Sequence, residues 1–170
     1  MKTQKRAYFL LVIYLLILIW ILLFKVTLSL SDLAHSLNLS RSINLIPFQA
    51  STIINGKIGL MEIVYNFLIF VPFGGLLAIA NKENSFLIKG LFIASFSLGI
   101  EIFQFILGVG ASDITDLLMN TAGGMTGLLV YHLLRKAVTE KKLDKFLTIL
   151  GGILLIVCLS FVVFLLIYNR

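Results

Sequence analysis

Four of the chain's eight acidic residues, Glu62, Glu101, Asp113 and Asp116, stand within or at the ends of long apolar runs. Ionisable groups are costly in such places and usually face a protein interior, a cavity or a partner. Amides accompany them at helical spacing. Glu62 and Asn66 are four apart, and Glu101 and Gln104 three apart. Asp113, Asp116 and Asn120 follow one another at three and four. Residues so spaced share one helix face. Arg41 and Asn44 lie in a polar connection just before Pro47.

Three kinds of chemistry suit this set. Glu101 and Asp116 are candidate general acids or bases, because a low-dielectric site disfavours the charged carboxylate and holds its proton. Arg41, Asn44, Glu62, Asn66, Gln104, Asp113 and Asn120 are candidate binding groups for a polar headgroup or a small extracellular molecule. Carboxylates, amides and water also suit Mg²⁺, Mn²⁺ or Ca²⁺ better than zinc, so a divalent cation is compatible with the set. The structural alternative is that these groups only hydrogen-bond neighbouring helices. The sequence Gly108-Val109-Gly110-Ala111-Ser112-Asp113 reads as a tight turn leading to a helix N-cap at Ser112 or Asp113, which favours Asp116 over Asp113 as the reactive acid.

Helices that cross a membrane must position these residues. Each crossing needs about 20 mainly apolar residues. Five segments qualify: Tyr8 to Phe24, Ile58 to Ala80, Phe86 to Leu107, Ile114 to Leu134 and Phe146 to Tyr168. The expectation is an all-α, polytopic transmembrane bundle of about five spans, forming one membrane domain over residues 1–170. The first segment reads as a retained helix, because its apolar stretch is longer than that of a signal peptide and no small-residue cleavage site follows.

Composition agrees. Hydrophobic residues make up 59% of the chain and charged ones 13%, against about 25% charged in soluble domains. A soluble enzyme, a disulfide scaffold and a disordered tail are excluded, and Cys158 has no intrachain partner. Lys and Arg in the short loops set the orientation. With the N-terminus in the cytoplasm, Lys2, Lys5, Arg6, Lys82, Lys89, Arg135, Lys136, Lys141, Lys142 and Lys145 lie inside. Lys25, Arg41, Lys57 and Arg170 lie outside. That arrangement puts all four acids toward the outer leaflet. The net charge of +6 reflects the same bias and gives no reason to expect nucleic acid. Membrane lipids are the expected partners.

The remaining signals concern packing. Pro72 removes a backbone donor and predicts a kink in the second span. The pair Gly123-x-x-x-Gly127 predicts tight helix contact in the fourth. His35 and His132 read as ordinary polar residues. There is no GxSxG, HExxH, CxxC or glycine-rich phosphate loop.

In order along the chain, the polar set resembles the VanZ-like membrane protein family. The matching pieces are Arg41-Ser-Ile-Asn44-Leu-Ile-Pro47-Phe48, Asn66-Phe-Leu-Ile-Phe-Val-Pro72-Phe73-Gly74 and Glu101-Ile-Phe-Gln104. They are followed by Ser112-Asp113-Ile-Thr-Asp116-Leu-Leu-Met-Asn120-Thr121-Ala-Gly123. The resemblance covers residues 8–135 and leaves 146–168 as an additional C-terminal helix. Many members carry an Arg in the turn after Glu-x-x-Gln; here that turn is Gly108-Val109-Gly110-Ala111. The resemblance implies a bacterial, multi-pass cell-membrane protein of the cell envelope, in a family associated with teicoplanin resistance. On that basis the expected function is an outward-facing polar pocket that binds or acts on a lipid-linked envelope precursor or a glycopeptide-like amphiphile. The alternatives are a membrane enzyme modifying an envelope lipid or glycan, and an accessory subunit without catalysis. Five spans without a visible inverted repeat give little support to a transporter.

Overall fold

Long unbroken apolar runs fold as helices in a bilayer, because each backbone group then finds its partner within its own segment. The computed structural model describes residues 2–24, 42–48, 60–108 and 111–168. Five helices dominate: α1 (Lys2–Phe24), α2 (Leu60–Ala80), α3 (Phe86–Leu107), α4 (Ile114–Ala137) and α5 (Glu140–Tyr168). The first four are long and apolar enough to cross a membrane. The fifth expected span, 146–168, lies inside α5.

Three helices overrun the apolar windows read from sequence. α1 begins at Lys2, α4 continues to Ala137 and α5 begins at Glu140. The windows measure hydrocarbon thickness, whereas Glu, Lys, Gln and Arg are good helix formers and carry the helices past it. α2 runs on through Pro72.

Small residues decide the packing. α2 and α4 make the largest helix contact in the bundle. A Cβ on Gly123 would lie 2.0 Å from the Phe67 carbonyl oxygen, and one on Gly127 would lie 2.0 Å from that of Val71. From the other side, a Cβ on Gly74 would sit 1.9 Å from the Gly124 oxygen. The expected Gly123–Gly127 contact is therefore a backbone-to-backbone approach against α2. Phe70 and Phe73 of α2 are fully buried and meet Phe92 and Phe96 of α3, with Phe73 and Phe96 centroids 5.3 Å apart. Meanwhile Phe9, Leu16, Leu87, Leu91, Phe103 and Ile106 are exposed, as a lipid-facing surface requires.

One departure from pure helix closes an end of the bundle. Ser42–Asn44 (β1) and Ala111–Asp113 (β2) pair in parallel, Asn44 opposite Asp113. The segment after Gly108 was expected to be only a turn. Its last three residues instead share backbone hydrogen bonds with β1, because non-helical backbone near hydrocarbon must be satisfied within the protein. Gly108 ends α3 in the left-handed conformation at φ 67°, where glycine has no steric cost.

Candidate functional site

The β1–β2 pair sets the first cluster. Asp113 caps α4, its Oδ1 accepting from the Thr115 backbone N–H at 2.7 Å. The same oxygen accepts from Asn44 Nδ2 at 3.2 Å. Glu101, on the last turns of α3, holds β2 twice. Its Oε2 accepts from the Asp113 N–H at 2.9 Å, and its carbonyl accepts from the Ser112 hydroxyl at 2.6 Å. Asn44 folds back on its own chain, accepting from the Ile46 N–H and donating to the Ile46 carbonyl, both at 3.2 Å. The loop then reaches α4 through Phe48, whose N–H donates to Thr115 Oγ1 at 2.9 Å. Phe48 itself has a φ of 63°, uncommon for a side-chain-bearing residue.

A second contact lies one turn further into α4. Asn66 Nδ2 donates to Asp116 Oδ1 at 2.6 Å, the short distance expected of a charge-assisted bond. Deeper still, Asn120 is fully buried and donates to Ser97 Oγ at 3.1 Å. Gln104 turns the other way and donates to the Leu22 carbonyl of α1 at 2.9 Å. Glu62 stands half-buried in the first turn of α2. Arg41 lies outside the described residues.

The nine candidate residues thus divide. Asn44, Glu101 and Asp113 come together. Asn66 and Asp116 form a pair beside them. Asn120 and Gln104 bond to other helices. Thr115 flanks the acidic stripe in sequence and Ser97 lies near Glu101, but spacing gave neither an acceptor role, which comes only through the approach of Phe48 and Asn120. Spacing also missed a cluster at the other end of the bundle. There Lys82 pairs with both Glu140 and Asp144, and the Tyr131 hydroxyl donates to Asp144 Oδ1 at 2.7 Å. Glu140 and Asp144, four apart within a basic run, were the available signal.

Beside Glu101 and Asp113 lies a cavity of about 220 Å³, walled by Ile43, Leu98, Ile102, Phe105 and Leu117. Its lining is almost wholly apolar. The expected polar pocket therefore takes a different form. Asn44, Glu101 and Asp113 bond one another and the backbone, because a polar group left unpaired in a low-dielectric site is costly, whereas the buried Gln104 Oε1 and Asn120 Oδ1 find no hydrogen-bond partner among the described residues. The hydrocarbon faces of Asn44, Glu101 and Asp113, with the leucines and phenylalanine, form the wall. Among the described residues, no three His, Cys, Asp or Glu side chains converge to hold a metal ion.

An α-helical bundle with lipid-facing apolar surfaces and a hydrogen-bonded polar layer at one end defines a small polytopic membrane protein. The VanZ/LLP1 family model matches residues 11–135. The chain is 41% identical over 152 residues to Protein VanZ of Enterococcus faecium, with 89% of each chain covered. It belongs to the VanZ family. No solved structure matches it.

Proposed function

We propose that the protein is a bacterial cell-membrane protein that binds an envelope amphiphile at the Glu101–Asp113 end and so influences susceptibility to teicoplanin-type glycopeptides. In this reading the N-terminus is cytoplasmic, and the site opens toward the outer leaflet. The occupant is a lipid-linked precursor or a glycopeptide-like molecule with an apolar part. The observation that carries the reading is the 220 Å³ cavity, whose apolar wall ends on the carboxylate and amide network of Asn44, Glu101 and Asp113. An amphiphile matches both surfaces. Family membership supplies the association with teicoplanin.

The test is expression in a teicoplanin-susceptible bacterium, reading the inhibitory concentration and the membrane abundance together. Leu98→Trp fills the cavity from an exposed position on α3. Protection lost at normal abundance supports the reading, and protection unchanged by Leu98→Trp sinks it. A second reading, an accessory subunit whose polar layer is structural, is favoured by the three interhelical bonds Asn66–Asp116, Asn120–Ser97 and Gln104–Leu22. It expects Glu101→Gln and Asp116→Asn to lower abundance rather than protection per molecule.

A further inference from the structure

At the end of the bundle opposite Glu101, we propose that Lys89 anchors an anionic phospholipid. Lys89 occupies the first turn of α3 and is only 4% exposed. Among the described residues no carboxylate pairs with it, and no side-chain hydrogen bond reaches its ammonium. The charged side chain that acts on it is another cation, Arg135. Its position adds a further cost, because the N-terminal end of a helix carries positive partial charge and favours anions. A lysine near a membrane boundary ordinarily extends its head to water. Lys89 does not, since its side chain is enclosed. A buried ammonium opposed by another cation, with no carboxylate partner among the described residues, calls for an anion.

The surroundings specify that anion. Lys89 lines a cavity of about 330 Å³ between α1, α2 and α3, with Asn81 and Asn84 at the loop between α2 and α3. The two amides supply donors suited to phosphate oxygens. The other walls are apolar, including Leu11, Leu15, Leu77 and Phe92. Phosphate beside the lysine and amides, with an acyl chain along α1 and α3, satisfies both halves. A free phosphate would leave the apolar walls unfilled. Lys2, Lys5 and Arg6 open α1 at this same end, where Gln4 bonds the Ala80 carbonyl, so the approach is also favourable for an anionic lipid.

The test uses the purified full chain in neutral detergent, with native mass spectrometry reading lipid retention. Phosphatidylglycerol and phosphatidylcholine of the same acyl chains compete, and inorganic phosphate forms a separate arm. The wild type retains phosphatidylglycerol preferentially. Lys89→Met lowers its affinity about ten- to a hundredfold, the worth of a charge-assisted contact, and Lys89→Arg restores the preference. Asn84→Asp, at an exposed loop position, places a carboxylate beside the lysine and lowers the affinity without touching the core. Equal retention of the two lipids overturns the proposal, as does a preference that survives both Lys89→Met and Asn84→Asp. Displacement of phosphatidylglycerol by inorganic phosphate at equal concentration would show a soluble-anion site instead.

Discussion

Asn66 donates a 2.6 Å hydrogen bond to Asp116 and thereby ties the second turn of α2 to the first turn of α4. The two residues are 50 positions apart. They meet where the glycines of α4 have already drawn the two backbones together. The expected coupling is about 0.6–2 kcal/mol, the range for polar contacts between membrane helices. A double-mutant cycle of Asn66→Leu and Asp116→Leu, read by unfolding in mixed detergent micelles, measures it. Additive single-mutant effects would contradict the contact.

Glycines on the same helices should differ sharply in tolerance. Gly123→Ala and Gly127→Ala each drive a methyl into a carbonyl oxygen of α2, so the helices must separate. Overpacking of this kind costs about 1–3 kcal/mol. Gly75 is the control, since a Cβ there meets nothing within 4 Å. Membrane abundance should fall for the first two and hold for Gly75→Ala. Equal abundance of all three would argue against the close approach.

The Lys82 cluster predicts how the docking of α5 depends on pH. Burial pulls the Lys82 pKa down, but the carboxylates of Asp144 and Glu140 more than offset this and leave it above its ordinary 10.5. Bonding to Lys82 holds Glu140 below its ordinary 4.5, against a smaller opposing effect of burial. The depressed acid contributes stability above pH 4.5 and loses it as pH falls through its folded pKa. The raised lysine contributes fully below pH 10.5 and loses its part as pH rises through its own folded value. The distance between spin labels attached to α2 and α5, read by electron paramagnetic resonance, should therefore hold steady from about pH 4.5 to 10.5 and lengthen outside that window. Lys82→Met should remove the dependence.

At the β1–β2 end, Thr115→Val removes the acceptor for the Phe48 N–H while preserving side-chain shape. One lost bond of this kind is worth about 1 kcal/mol. Labelling of a cysteine introduced at Ser42 should become faster in Thr115→Val than in the parent, and Thr115→Ser should restore the slower rate. Unchanged labelling in the valine variant would mean that the loop is held by other contacts.

Much of this architecture was legible in the amino-acid sequence, because its determinants are local. Apolar runs of sufficient length become helices wherever they sit, and 59% hydrophobic content leaves no soluble alternative. The Gly123–Gly127 spacing places both residues on one face, and Asp113 caps α4 within its own chain segment. Spacing also singled out Glu101, Asp116 and their amides. It could not say which faces meet, since helix period fixes direction around an axis and carries no information about the neighbour across it. The tertiary structure alone decided that Glu101 binds the backbone of Asp113, that Gln104 turns away to Leu22, and that the cavity beside them is apolar. It also joined Lys82 to Asp144, 62 residues away, and enclosed Lys89 without a counterion among the described residues. The physical reason is common to all of these. A charge or amide in a low-dielectric bundle takes whatever partner the packing brings within reach, and that packing is a property of the assembled helices.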